Sequence, residues 1–211
     1  MTVRALAAAL LFAAAPPAVA DGIAGRFDFY VLTLDWAPRD CPSDDPAATA
    51  CRPGDHAFLF HMLWPHRDAG DPPTSCLTML SSELAPATYA ALGNVLPRSL
   101  AMQEWEARGV CTGLRAVDYF ALTREAIANL VIPADFVRPG FPQRLTPRQI
   151  EDAFIAVNPS LMLEATSVQC RRGAFTGLKL CLSKDLAFRP CQEVRAAACE
   201  GASISIPAVL R

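Results

Sequence analysis

An α+β fold is predicted for this chain: an antiparallel β-sheet with helices packed on one side, stapled by disulfides. Strand-like runs stand near the start and in the last third, while the middle carries helical period, which suits an α+β domain better than alternating βαβ units. All 8 cysteines lie beyond residue 40, and an even count in an exported chain argues for a disulfide framework. The length suffices for one sizeable core, with no internal repeat or linker to divide it.

The start of the chain is set apart from that domain. Arg4 supplies a positive charge, Ala5 to Ala15 is an apolar run, and Ala18-Val19-Ala20 before Asp21 is a small-residue cleavage pattern. Residues 1–20 are therefore expected to be a secretory signal and 21–211 a single mature domain. A retained anchor is the alternative, but the run is short and Ala-rich for a membrane span. No later stretch is long and apolar enough to cross a membrane, so an exported protein, periplasmic or extracellular and free of the membrane, is expected. Asp and Glu number 21 against 19 Lys and Arg, one of which, Arg4, lies in the leader. A broad basic field for gripping nucleic acid is absent, so any nucleic-acid capture has to be local.

Phe27 to Trp36 reads as the first strand, rich in aromatic and β-branched types, and Pro38 ends it. Residues 41–54 form a turn-rich loop that a Cys41–Cys51 disulfide would close. Ala57 to His61 is the second strand, with Trp64-Pro65 as its stop and a charged, proline-rich loop after it. Short helical patches are expected around Leu77–Leu84 and Pro86–Leu92, then helices over Ala101–Arg108 and Ala116–Leu130. Gly109 bounds the first of that pair. Thr146-Pro147-Arg148-Gln149 combines an N-cap, a proline at the first helical position and a capping box. Ile150, Ala153, Phe154 and Val157 give the helix that follows its buried face. Short strands are expected over 166–170, 177–182 and 202–206.

Two segments carry the chemistry. Phe60-His61-Met62-Leu63-Trp64-Pro65 resembles the His-Gly-Leu-Trp-Pro segment of the ribonuclease T2 family, and Gln103-Glu104-Trp105-Glu106-Ala107-Arg108-Gly109-Val110-Cys111 resembles its His-Glu-Trp-x-Lys-His-Gly-x-Cys segment. The opening strand ending in Leu34-Asp35-Trp36, Asp118-Tyr119-Phe120, the helix from Thr146, Leu178 to Asp185 and Ile204-Ser205-Ile206-Pro207 are similar to further family segments in the same order. The resemblance implies a ribonuclease T2-like fold and disulfides Cys76–Cys111, Cys170–Cys199 and Cys181–Cys191. It also implies a metal-free, cofactor-free protein whose partner is single-stranded RNA, cleaved through a 2′,3′-cyclic phosphate. A monomer is expected. No Cys-x-x-Cys occurs and no histidine follows Cys111, so the cysteines do not read as a metal site.

That reaction needs a base for the 2′-hydroxyl, an acid for the departing 5′-oxygen, and positive charge around the phosphate. By resemblance His61 is the acid/base of the first segment and Glu104 the glutamate of the second. Gln103 stands at the auxiliary histidine, Ala107 at the lysine, and Arg108 at the second catalytic histidine. A guanidinium keeps its proton across physiological pH and is a poor base, but its planar fork suits paired phosphate oxygens. Arg108 is thus expected to bind phosphate, or to form a plain helix ion pair with Glu104 at i, i+4.

Other positions have two readings each. His61 is an acid or a structural histidine, and His66, placed in a loop, is a solvated residue or a substitute imidazole; His56 falls on the opposite strand face. Trp36 and Tyr30 are base-stacking candidates or core aromatics. Trp64 is a substrate contact or, with Trp105, a support for the two segments. Met62 stands at a family glycine and would distort the site if positive φ is needed there. Arg171-Arg172-Gly173 reads as a solvated basic turn.

Two functions follow. One is a ribonuclease T2-like protein that binds single-stranded RNA, with cleavage weakened or lost. The other is a non-catalytic secreted protein on the same fold, recognising RNA, a nucleotide or a protein partner, down to a disulfide-stapled interaction module with no use for phosphate.

Overall fold

The computed structural model describes residues 22–36, 57–79, 84–92 and 98–208; the side chains of residues 61, 62, 91, 92 and 99 are outside that description. The signal reading of residues 1–20, the Cys41–Cys51 pairing and His56 all lie outside the described residues.

The strands are β1 (Phe29–Trp36), β2 (Phe58–His66), β3 (Gln143–Leu145), β4 (Thr166–Arg171), β5 (Ala174–Leu182) and β6 (Ile204–Ile206). They form one six-stranded sheet with path β2-β1-β5-β6-β3, and β4 pairs with β5. Every pairing is antiparallel except a single parallel contact between Ala174 and Ser205. The helices are α1 (Pro86–Leu92), α2 (Arg98–Ala107), α3 (Ala116–Ala128), α4 (Pro147–Val157) and the one-turn α5 (Gln192–Arg195).

β1 explains why its sequence lacks a clean polar alternation. Both of its faces are covered. Tyr30, Leu32, Leu34 and Trp36 join the main core with Leu63, Leu178, Leu180 and the helix residues Trp105, Tyr119, Phe120, Ile150 and Phe154. Phe29 and Val31 turn to the other face, where Cys181, Cys191 and Val194 make a small second cluster. The longer helices therefore share one side of the sheet, and α5 closes a corner of the other.

β2 runs further than expected. Pro65 does not end it: Tyr30 pairs with Pro65 and Phe29 with His66, and Asp28 N donates to the His66 carbonyl at 2.8 Å. β2 is an edge strand, so a residue without an N–H is tolerated there. His66 is accordingly a strand residue, half-buried against Phe29 with ring centroids 5.5 Å apart, and not a loop histidine.

The helix over 77–84 is not found in its described part; Leu77 instead bridges Ile23. β3, three residues between prolines, was not anticipated. The capping box of α4 is complete, with Thr146 Oγ1 accepting from Gln149 N and Gln149 Oε1 accepting from Thr146 N. Disulfides join Cys76 to Cys111, Cys170 to Cys199 and Cys181 to Cys191, the pairings the resemblance implied.

Candidate active site

The two segments meet at Trp64. This residue lies on β2 opposite Val31, half-buried and packed against the edge of the main core. Its indole Nε1 donates to Glu104 Oε2 at 2.6 Å, linking β2 to α2. The Arg108 guanidinium carbon stands 4.2 Å from the indole centroid. A cation over a tryptophan face is worth about 0.5–2 kcal/mol. A guanidinium over a ring can still offer N–H groups to acceptors, because it carries five of them.

The expected Glu104–Arg108 ion pair is not among those of the described residues. The reason is local. α2 stops at Ala107, and Arg108 takes φ −137, leaving the helical row on which i and i+4 side chains face each other. The turn Gly109–Thr112 begins at once. A side chain at Gly109 would put its Cβ 2.5 Å from Trp105 Cε3 and 2.9 Å from Tyr119 Cε1, so only glycine fits between these rings. Trp105 is a core support for this turn, as one of its readings held.

Two further ties hold the halves together. Cys76–Cys111 closes a separation of 35 residues, and Ser75 N donates to the Ala107 carbonyl at 2.9 Å. Loop closure on that scale stabilises by about 3–4 kcal/mol in the chain-entropy account. Tyr119 Oη on α3 donates to the Leu63 carbonyl at 3.0 Å, one residue from Trp64. Burial pushes the Tyr119 hydroxyl well up, with Glu104 and Tyr30 adding to it and Arg108 opposing.

His61 lies in β2 beside a register shift. Leu32 pairs with Leu63 and Leu34 with Phe60, so residues 61 and 62 together oppose Thr33, an irregularity of the bulge type. Bulges re-aim side chains and are common beside active sites. The side chains of His61 and Met62 are outside the described residues. Ala107 and Gln103 are exposed.

Tyr30 and Trp36, the two stacking candidates, sit in the main core. Trp36 packs against Phe58, Phe136 and Phe175, and its Nε1 donates to the Pro207 carbonyl at 3.2 Å. Neither offers a face to a base, because alternation in β1 turns both inward; burial pushes the Tyr30 hydroxyl up to about 12. The His66 imidazole is pulled down to about 4 by burial, then by the charges of Lys179 and Arg108.

Lys179 was not singled out in the sequence. It lies on β5 directly opposite Thr33, between the buried core residues Leu178 and Leu180, and so by alternation on the face that carries Val31 and Cys181. Its ammonium is pulled down by burial and by Arg108, against Asp35. The one available signal was a lysine alternating with core leucines, which marks an outer face but not what stands beside it.

Among the described residues no group of three His, Cys, Asp or Glu converges as metal ligands would, and no helix is long and apolar enough to cross a membrane.

The fold and the paired segments define a disulfide-bonded α+β domain of the ribonuclease kind. A sequence model of the ribonuclease T2 family matches residues 27–191, and the chain belongs to that family. A ribonuclease of Aeromonas hydrophila is 33% identical over 114 residues, covering 50% of this chain and 47% of that protein; the match thus spans about half of that relative. An RNase-related protein from Calystegia sepium superposes with TM-score 0.67 at 18% identity, over 86% of this chain and 97% of that one. RNase NT in complex with 5′-AMP superposes with TM-score 0.58 at 18% identity, over 87% and 99%. At those identities the solved structures speak for the fold alone.

Proposed function

We propose that this protein is an exported, monomeric, metal-free and cofactor-free member of the family that binds single-stranded RNA at the Trp64–Glu104–Arg108 junction, with cleavage weakened or lost. Export to the periplasm or medium accords with the disulfides and with the signal-like start. The observation that carries the reading is Arg108 stacked on Trp64. Where the family places an imidazole, this chain holds a cation over the indole ring, and its planar fork of N–H donors suits phosphate oxygens. Glu104 is held in the same junction by the indole N–H.

The proton transfers are what this arrangement lacks. One positioned acid or base supplies about 10²–10⁴ in rate, and a guanidinium does not exchange its proton at working pH. His61 remains for one transfer. His66 is packed on Phe29, and burial pulls its imidazole down to about 4, which disfavours the protonated form that an acid needs near neutrality.

The test is incubation of the mature protein with single-stranded RNA from acid to neutral pH in the presence of chelator, scoring 2′,3′-cyclic phosphate ends, with binding measured in parallel. Binding with little or no cleavage is expected. Turnover at rates usual for the family, abolished by His61→Ala, would overturn the weakened-site reading, and absence of RNA binding would overturn the whole proposal.

A further inference from the structure

Lys179 has a place in the sheet that core packing does not explain. The row that runs across three strands is β2 at residues 61–62, Thr33 on β1, and Lys179 on β5, with Ser167 of β4 beyond it. A half-buried lysine gives up hydration, and is ordinarily compensated by a carboxylate. Here the ammonium makes no ion pair among the described residues. Asp35, diagonal to it on β1, is the acidic group that offsets its charge, while Arg108 and His66 both stand close enough for like-charge coupling. In a chain with more acidic than basic residues, basic groups have been gathered on this one stretch of sheet.

Thr33 adds an independent observation. It is 6% exposed, and its hydroxyl has no hydrogen-bond partner among the described residues. Buried hydroxyls are nearly always satisfied, and leaving one unpaired costs about 1–3 kcal/mol. This donor lies between Lys179 and the irregular stretch of β2 that carries His61.

We propose that Lys179 is a phosphate-binding residue of this site, its ammonium acting with the Arg108 guanidinium on one phosphate of bound RNA, and the Thr33 hydroxyl supplying a further donor in the same row. This rests on the RNA-binding reading above. It places on β5 a positive charge of the kind that Ala107 no longer offers from α2. Substrate phosphate is then held by two strands and a helix end, and the sheet, the most rigid part of the fold, sets the position of the charge.

The test compares wild type with Lys179→Ala, Lys179→Gln and Lys179→Arg. One probe is a fluorescent single-stranded 2′-deoxy oligonucleotide, which cannot form a cyclic phosphate; the other is inorganic phosphate, followed by tryptophan fluorescence. Thermal melts confirm that each variant folds. The expected result is roughly tenfold weaker oligonucleotide binding for Ala and Gln, a log–log salt slope smaller by about 0.7, and recovery with Arg. Weaker phosphate binding in the same two variants is also expected. Oligonucleotide binding unchanged in affinity and slope overturns the role of Lys179 and leaves the RNA reading standing. Wild type that binds phosphate through Lys179 but no oligonucleotide overturns the RNA reading and keeps the anion site. Wild type that binds neither probe overturns both.

Discussion

His66 makes stability fall in a defined acid window. Its imidazole stands near 6.5 in the unfolded chain and is pulled down to about 4 in the folded one. Burial on the sheet face is the leading cause, followed by Lys179 and Arg108. Arg189, stacked over Phe29 and paired with Asp68, is a further charge on that face. Between the two values the unfolded chain binds a proton that the folded chain refuses. Stability from this group is therefore fully present above about 6.5, declines as pH falls towards 4, and loses nothing more below that. The slope is at most about 1.4 kcal/mol per pH unit, a ceiling near 3 kcal/mol across the window. The ring keeps some contact with water, which brings the expectation to roughly 1–2 kcal/mol. Carboxylates titrate in the same range, so the measurement has to be differential. Urea unfolding of wild type and His66→Phe at pH 7 and pH 4.5 isolates the term, since phenylalanine keeps the packing on Phe29 and cannot charge. The variant should gain about 1–2 kcal/mol on wild type between the two conditions. An unchanged difference, or an imidazole proton resonance titrating near 6.5, would refute the burial argument.

The scaffold argument is tested by Ala107→Lys with Arg108→His, which should raise release of cyclic phosphate by at least about 10²-fold, the span of one restored acid/base. No gain from a folded double variant would locate the damage elsewhere, with Met62 the first position to revert to glycine. Gly109→Ala forces a methyl group against two fully buried rings, Trp105 and Tyr119, and should cost about 2–3 kcal/mol in urea unfolding. A loss under about 0.5 kcal/mol would mean that the turn relaxes freely and does not hold Arg108 in place.

How much of this was legible from the residues differs by level. The capping box at Thr146–Gln149 is local hydrogen-bonding chemistry within one turn, and it appears as read. The strand expected over 27–36 is found over 29–36, its character likewise intrinsic to its residues. Pro65 misleads because the tolerance of a strand for proline depends on whether it lies at a sheet edge, which is a fact of the whole sheet. Arg108 misleads for a related reason. Helical spacing predicts a pair with Glu104 only while the helix continues, and Gly109, packed under Trp105 and Tyr119, ends it one residue early. Trp36 and Tyr30 are aromatic and lie on the strand beside β2, but register turns them inward. Alternation with core leucines marks Lys179 as outward-facing, but its neighbour could not be read from spacing, since Thr33 is far away in sequence and meets it only through sheet pairing.

The way Glu104 and Arg108 are joined decides what the loss of the histidine means. Were they a direct ion pair, Glu104 would depend on the charge at 108, and restoring histidine would disturb both. Instead each engages a different part of Trp64: the carboxyl takes the indole N–H at 2.6 Å, and the guanidinium takes the ring face at 4.2 Å. Trp64 is in turn held by β1 pairing and by the Tyr119–Leu63 bond beside it. The glutamate's position is thus set independently of the residue at 108. An imidazole introduced there can stack on the same indole, since aromatic rings favour offset or edge contacts of similar reach. On the proposed reading, a guanidinium in place of the imidazole at 108 removes a proton-transfer group and leaves the junction its shape, so phosphate binding through Arg108 is expected to persist.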